Sequence, residues 1–280
     1  GLPISPQHPH YSPVQENSVQ IIKDKALLLK LKNPETVTNN IPKSSIVGDN
    51  GVLVSWGLQE AHALNSLNIK APSPITAQYN WPGQHKPFDH QKTTSAFLTL
   101  NQRAFCFNEQ GTGKTASAIW ASDYLLNKGV INRVLVICPL SIMDSAWRAD
   151  LFTFAMHRSV DVAYGPAEKR KRIIANGSDY VIINYDGVDI VSDVIKEGNF
   201  DLIIVDEATH YKNAQTKRWK TLNKLINPNT WVWMMTGTPA AQSPVDAYGL
   251  AKIVNPAKTP RFFGSFRDMV MYKVSNFKWI

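Results

Sequence analysis

Six short apolar runs, which alternate with helical stretches after residue 88, constrain the fold of this chain more than any other feature. The runs are rich in β-branched and aromatic residues and are apolar on both faces, as the strands of a buried parallel sheet must be. They span Arg103–Phe107, Arg133–Cys138, Val160–Tyr164, Tyr180–Asn184, Asp201–Asp206 and Trp231–Thr236. The alternation predicts a doubly wound α/β domain, with a parallel sheet and helices on both faces. Since ligands of such sheets bind at the carboxyl ends of the strands, ligand-binding and catalytic residues are expected directly after each run.

Changes in composition along the chain predict four segments. Residues 1–18 are proline-rich with few aliphatic side chains, which predicts a flexible leader. Residues 19–80 contain short apolar runs and one helical stretch, which predicts a small α+β accessory domain that ends in a proline-containing linker. The α/β domain is expected over residues 81–258, and residues 259–280 are expected to begin a further segment.

The overall composition restricts the partners of the chain. Lysine and arginine number 30 against 22 acidic residues, and the formal charge of +8 favours an anionic partner such as nucleic acid. No stretch approaches the roughly 20 apolar residues that cross a bilayer, and the first residues lack a signal-peptide pattern. The sequence therefore predicts no membrane partner and a cytoplasmic location. Cys106 and Cys138 lie at apolar runs and are expected to be reduced core thiols rather than a disulfide.

A phosphate-binding pattern, NEQGTGKT at Asn108–Thr115, lies between the first apolar run and a helical stretch. Its glycines allow main-chain N–H groups to surround phosphates at the N-terminus of a helix. Lys114 is then expected to reach the β and γ phosphates, and the Thr115 hydroxyl to bind Mg2+. Asn108 replaces the first glycine of the general pattern, and the alternative is a chance match in a glycine-rich turn. The residues predicted to bind the nucleotide here are Gln110, Gly111, Thr112, Gly113, Lys114 and Thr115.

An acidic pair, Asp206 and Glu207, ends the fifth apolar run. An aspartate at such a strand end can hold Mg2+, and the adjacent glutamate can act as the general base for the attacking water. Together with Lys114, these residues are the predicted catalytic set. The alternative is an acidic pair that caps the following helix.

The segment Asp206–Asn213, DEATHYKN, resembles the DEAH-type motif of Swi/Snf-like ATPases in helicase superfamily two, with Thr209 in place of the usual histidine. Phe88–Gln91 is similar to the motif of that family whose glutamine reads adenine. Residues 240–242 read Ala-Ala-Gln where the family has Leu-Gln-Asn. The remaining motifs follow in the same order as in the family. The resemblance therefore implies that Pro139, Ser141, Asn184 and Tyr185 contact nucleic acid, and that Thr236 and Thr238 couple hydrolysis to movement.

This resemblance implies a P-loop NTPase of RecA-like fold, the first lobe of a motor that uses ATP and Mg2+. It implies a DNA-dependent ATPase that moves on, remodels or reanneals duplex, forked or single-stranded DNA. In such motors a second RecA-like lobe supplies arginines to the reaction; that lobe is expected to be missing from this chain, so weak hydrolysis is predicted. The alternatives are an RNA-directed helicase of the DEAH or DEAD type and a nucleotide-switched clamp. A bacterial or viral context suits a small member of this family.

Residues 19–80 contain the segment IPKSS at Ile41–Ser45, then Trp56 and the stretch Leu64–Ile69, followed by a proline-containing linker. In these features they resemble the small substrate-recognition module of annealing helicases of the HARP-like type. That resemblance implies DNA phosphate contacts from Lys23, Lys25 and Lys43. The alternative is a structural brace for the larger domain.

Several of these residues also have a plainer interpretation. Gln91 can be a surface residue of a helix, and Thr236 and Thr238 can end a strand. The basic run Lys169–Arg172 is better interpreted as a solvated helix face than as a nucleic-acid site. Trp147, four residues before an apolar leucine on a helix, is better interpreted as a core residue than as a base-stacking platform.

Overall fold

The computed structural model describes residues 17–107, 113–236 and 244–257. Within this part, the chain divides into two compact units, with the division between Gln78 and Tyr79. Residues 1–16 of the predicted leader and the whole predicted segment 259–280 lie outside the described residues.

The smaller unit is an antiparallel sheet of four strands in the order β1-β2-β4-β3, with three short helices. Alternation of side chains builds its core, since Leu27 and Leu29 of β2 are buried and pair in register with Val54 and Val52 of β4. The predicted strands and the helix after them are present, whereas β3 and α1 lie in a stretch for which no element was predicted. The elements are β1 Ser18–Ile22, β2 Ala26–Lys30, α1 Glu35–Asn40, β3 Ser44–Val47, β4 Gly51–Ser55, α2 Leu58–Ser66 and α3 Ile75–Gln78.

The larger unit contains a six-stranded sheet in the order β5-β10-β9-β6-β8-β7, and every neighbouring pair is parallel. All six predicted runs form strands, so the predicted α/β class is confirmed. The strands are β5 Arg103–Phe107, β6 Val134–Ile137, β7 Val160–Val162, β8 Tyr180–Ile183, β9 Leu202–Asp206 and β10 Trp231–Thr236. The helices are α4 Asp89–Leu100, α5 Lys114–Asn127, α6 Ala149–Phe154, α7 Ala167–Ala175, α8 Tyr185–Glu197, α9 Lys217–Leu225 and α10 Pro244–Val254.

Helices cover both faces of this sheet. On one face, Leu135, Val181 and Ile203 join a buried cluster with apolar residues of α7, α8, α9 and α10. On the other face, the Tyr180 hydroxyl lies 2.6 Å from the hydroxyl of Ser122 on α5, and α5 packs against α4 and α6. Because both faces are covered, the central strands are apolar throughout, and this is the pattern that made them recognisable in the sequence.

The first residues of the larger unit are fastened to helix α5. The Tyr79 hydroxyl donates to the carboxylate of Asp123 at 2.5 Å, and the Trp120 indole donates to the carbonyl oxygen of Pro82 at 2.9 Å. The Trp81 ring meets the Trp120 ring edge-on at 5.5 Å. Asp123 is fully buried and also accepts hydrogen bonds from His157 and Arg158. The end of the predicted linker is therefore part of the core of this unit.

The two cysteines are buried free thiols, as the sequence predicts. Burial raises the pKa of Cys106 to about 11 and that of Cys138 to about 12, so both thiols are neutral at physiological pH. Among the described residues, no helix is both long enough and apolar enough to cross a membrane.

Candidate active site

The predicted catalytic residues meet at the carboxyl edge of the parallel sheet. Helix α5 begins at Lys114, and β9 ends at Asp206, with the end of β10 between the ends of β5 and β9. The Lys114 Nζ lies 2.8 Å from Asp206 Oδ1 and 3.6 Å from Glu207 Oε1. Thr115 follows in the first turn of α5 and is half-buried. The partly buried Lys114 ammonium therefore lies close to two carboxylates, and its positive charge attracts both of them.

The Asp206 carboxylate is held by three donors. Its Oδ1 accepts from Lys114 and, at 2.9 Å, from the main-chain N–H of Glu207. Its Oδ2 accepts from the indole N–H of Trp147 at 2.9 Å. Only 3% of the Asp206 side chain is exposed, and hydrogen bonds to a buried carboxylate are stronger than those between neutral groups. The orientation of both oxygens is thus set by the protein.

Glu207 adopts a left-handed main-chain conformation, with φ 52° and ψ 56°. A residue with a Cβ pays about 1–2 kcal/mol for this conformation, and such outliers are concentrated at functional sites. The turn is held by Tyr185, whose hydroxyl donates to the carbonyl oxygen of Asp206 and lies 3.4 Å from that of Glu207. The Glu207 side chain is 31% exposed, so its carboxylate can meet a water molecule while its main chain is fixed.

Gln91, on the first turn of α4, lies against the end of the phosphate-binding pattern. Its Oε1 accepts from the N–H of Phe88 at 2.9 Å, and its Nε2 lies 3.5 Å from the carbonyl oxygen of Gly113. Gly113 is left-handed, with φ 73°, and a Cβ there would overlap Gln91 Nε2. Gln91 is buried, which excludes the plainer interpretation as a surface residue. Adenine recognition by its amide stays a prediction.

Comparison with known proteins identifies the family. The sequence profile of the SNF2-related domain matches residues 90–274. The chain belongs to the SNF2-related family.

Individual relatives of this SNF2-related chain are distant and longer. It is 25% identical over 190 residues to the SWI/SNF-related matrix-associated actin-dependent regulator of chromatin subfamily A-like protein 1 homolog of Caenorhabditis elegans, which covers 66% of this chain and 26% of that protein. It is 29% identical over 184 residues to putative protein p41 of Acyrthosiphon pisum secondary endosymbiont phage 1, with 62% of this chain and 38% of that protein covered. The chain thus spans between a quarter and two fifths of the length of these two relatives.

A solved structure supports the same fold. The Sulfolobus solfataricus SWI2/SNF2 ATPase core, solved in complex with dsDNA, matches with a TM-score of 0.59 and 23% identity, covering 67% of this chain and 39% of that one. The predicted RecA-like architecture of the SNF2-related lobe is therefore confirmed.

The residues predicted to contact nucleic acid fall into two groups in this SNF2-related lobe. Pro139 is half-buried and Ser141 exposed, directly after β6. Asn184 is buried and its Oδ1 accepts from Arg170 at 2.8 Å, and Tyr185 is buried against Asp206. The contacts stay predictions for all four, but the burial of Asn184 and Tyr185 favours a role in positioning other groups.

Four predicted site residues, Gln110, Gly111, Thr112 and Thr238, lie outside the described residues. Thr236, the other predicted coupling residue, ends β10 and is fully buried between the ends of β5 and β9. Its place at the same sheet edge as Asp206 agrees with both interpretations, a coupling residue and a strand end.

Besides that of Gln91, one plainer sequence interpretation needs revision. Arg170, assigned with its neighbours to a solvated helix face, is buried and donates to the carbonyl oxygens of Ala163 and Gly165 as well as to Asn184. Lys169, by contrast, is exposed as expected. Trp147 is a core residue, as interpreted, yet its N–H binds Asp206. That bond could not be predicted from the sequence, because the direction of an indole N–H depends on tertiary packing.

Proposed function

We propose that this chain is the ATP-binding lobe of a DNA-dependent ATPase that hydrolyses ATP to move on, remodel or reanneal DNA. The observation that carries this proposal is the cluster of Lys114, Asp206 and Glu207 at one edge of a parallel sheet in an SNF2-related lobe, with Lys114 and Asp206 2.8 Å apart. A phosphate-binding lysine, a metal-holding aspartate and a general base are the groups that nucleotide hydrolysis requires.

The proposed cofactors are ATP and Mg2+, and the residues present fit both. An ammonium already lies against Asp206 Oδ1, so this oxygen accepts a cation in this fold, and carboxylate and hydroxyl oxygens are the ligands that Mg2+ prefers. Asp206 and Thr115 would hold the metal. The chemistry that bound Mg2+ supplies is neutralisation of charge on the phosphate oxygens.

The residues of this chain would divide the work as follows. Lys114 would exchange its bond to Asp206 for the β and γ phosphates, which frees Asp206 Oδ1. The Glu207 carboxylate would accept a proton from the attacking water, since it is partly exposed and its main chain is fixed. Gly113 and its predicted neighbours Gln110, Gly111 and Thr112 would surround the phosphates with N–H groups, and Gln91 would recognise adenine.

DNA is the nucleic acid along which we propose that the motor moves. The solved ATPase core that shares this fold was bound to dsDNA, and the net charge of +8 suits a polyanion. RNA is the less favoured alternative, and a nucleotide-switched clamp without strand displacement is the other. A phage protein among the relatives supports a bacterial or viral context, and the proposed location is the cytoplasm. A second RecA-like lobe, supplied by the remainder of a longer protein, would complete the motor, and residues 19–80 are a candidate DNA-recognition module of the annealing type.

Binding and hydrolysis of ATP test the proposal. The chain is titrated with ATP and Mg2+ in a calorimeter, and hydrolysis is followed without nucleic acid and with forked DNA, duplex DNA or RNA. We expect clear ATP binding that Lys114→Ala weakens, and slow hydrolysis that DNA stimulates more than RNA and that Glu207→Gln abolishes. An absence of ATP binding would overturn the proposal. Stronger stimulation by RNA would identify an RNA motor, and DNA binding that responds to ATP without any hydrolysis would identify a clamp.

A further inference from the structure

An irregular helical segment joins the end of β6 to the catalytic carboxylate. After β6 the chain forms a 3-10 turn at Leu140–Ile142, a π-helical stretch at Met143–Arg148 and then helix α6. π-Helical turns are rare and occur often at functional sites, because the extra residue in the turn redirects a side chain. Here the stretch contains Trp147, which is fully buried and donates to Asp206 Oδ2 at 2.9 Å.

The acceptor distinguishes Trp147 from four other buried tryptophans. The indole N–H groups of these four bind main-chain carbonyl oxygens, an ordinary structural use. They are Trp56 to Pro72, Trp120 to Pro82, Trp219 to Gly249 and Trp233 to Asn101. Trp147 instead donates to an ionisable side chain, and that side chain is the proposed magnesium-holding aspartate.

The two oxygens of Asp206 have different partners. Oδ1 faces Lys114, which would leave it for the phosphates of a bound nucleotide, whereas Oδ2 faces Trp147, which is fully buried in the core and is not expected to move. When Lys114 departs, Oδ2 still accepts from Trp147 and Oδ1 from the main-chain N–H of Glu207. Loss of these bonds opposes rotation of the carboxylate, so Oδ1 stays directed toward the site that the cation would take. Groups that orient a metal ligand in this manner typically alter metal affinity or activity about 10–100-fold when removed.

We propose that Trp147 is a positioning residue for Mg2+ binding, and that its indole N–H holds Asp206 Oδ2 so that Oδ1 is presented to the metal. This inference rests on the proposed ATPase function, because Mg2+ enters the site with a nucleotide. It assigns to the tryptophan a role that its burial alone does not indicate.

The test measures how strongly Mg2+ improves nucleotide binding. Calorimetric titrations with ADP and with ATP, each in the presence of Mg2+ or of EDTA, are made for the unaltered chain, for Trp147→Phe and for the matched control Trp233→Phe. Each substitution removes a buried indole donor, but the Trp233 donor binds a main-chain oxygen at the opposite end of the strands. We expect Trp147→Phe to reduce the Mg2+-dependent gain in affinity about 10–100-fold, while affinity in EDTA stays within about twofold and Trp233→Phe keeps the full gain.

A second variant separates loss of the hydrogen bond from a folding defect. Replacement of Trp147 by 3-benzothienylalanine keeps the two-ring shape and exchanges the N–H for sulfur, so that only the hydrogen bond is lost. A full Mg2+-dependent gain in either Trp147 variant would overturn the inference and leave the proposed function intact. If the unaltered chain binds neither nucleotide, the proposed function fails and this inference fails with it.

Discussion

Tyr185 donates its hydroxyl hydrogen to the main-chain carbonyl oxygen of Asp206, so the start of α8 is bonded to the end of β9 at the turn that carries the proposed catalytic carboxylates. The Tyr185 ring also stacks on the His210 ring, at 4.3 Å between centroids. Burial raises the pKa of Tyr185 well above its usual value, which keeps the hydroxyl protonated as a donor. Tyr185, which the family resemblance predicts to contact nucleic acid, is therefore hydrogen-bonded to the motif whose carboxylates are proposed to take part in hydrolysis.

Replacing Tyr185 by Phe removes this bond but keeps the ring. We expect unfolding to become easier by about 1 kcal/mol, and single-turnover hydrolysis to slow about tenfold with little change in ATP affinity, because the left-handed turn at Glu207 loses its support. Rapid-quench kinetics and urea unfolding measure the two effects. The control is Tyr124→Phe, since that buried hydroxyl has no hydrogen-bond partner among the described residues. Equal rates in both variants would show that the Tyr185 hydroxyl does not act on the site.

Gly113→Ala tests the contact between Gln91 and the phosphate-binding pattern. The new Cβ would displace the Gln91 amide, so we expect weaker ATP binding and a smaller preference for ATP over GTP. Gly129→Ala is the matched control, because Gly129 has a similar φ of 69° but open space around it. Each change costs about 1 kcal/mol of stability from the left-handed conformation, and calorimetry with both nucleotides separates this cost from the effect on binding. An unchanged preference in Gly113→Ala would count against adenine recognition by Gln91.

Asp123→Asn tests the carboxylate that fastens the first residues of the larger unit. The substitution leaves Arg158 without its buried counter-charge, at 2.6 Å in the structure, and should destabilise the chain by about 3–5 kcal/mol. Asp144→Asn breaks an exposed pair with Arg148, one helical turn away, and should change stability by no more than about 0.5 kcal/mol. Urea unfolding followed by tryptophan fluorescence compares the two, and a similar small loss in both would refute the assigned role of Asp123.

The buried thiols predict a dependence of stability on pH. Folding raises the pKa of Cys138 to about 12 and that of Cys106 to about 11, whereas an unfolded thiol has a pKa of about 8.5. The unfolded state therefore releases protons first, so the stabilising effect is complete below about pH 8.5 and is lost as the pH rises toward the folded values. The free energy of unfolding should fall more steeply between about pH 8 and about pH 10 than in a Cys106→Ala, Cys138→Ala double variant. Parallel curves for the two proteins would contradict the prediction.

The sequence predicts the central strands of the larger unit well because β6, β8, β9 and β10 are buried on both faces. The run that ends at Asp206 is buried over its whole length, and a short continuous apolar run of this kind is typical of a buried strand. Strand β3, by contrast, was not predicted, because Ser44–Val47 is short and mostly exposed, and its order comes from pairing with β4. Pairing between distant segments leaves little local signal.

The central part of the candidate site could also be predicted, since Lys114, Asp206 and Glu207 follow directly from two strand ends. The groups that hold them could not. Trp147 and Arg170 both act through hydrogen bonds whose direction is fixed only by packing, and a basic run gives no indication of which guanidinium is buried. Tyr185 was found in the sequence, but its partner is 21 residues away along the chain.

The contacts that hold Tyr79, Trp81 and Pro82 against α5 have a mechanical consequence. Lys114 lies in the first turn of α5, and Asp123 lies about 14 Å further along the same helix, at about 1.5 Å per residue. A tension applied at Tyr79 would enter the helix at Asp123 and reach Lys114, the predicted phosphate-binding lysine, without passing through a loop. Helix α5 would then transmit force between the first residues of the larger unit and the proposed nucleotide site.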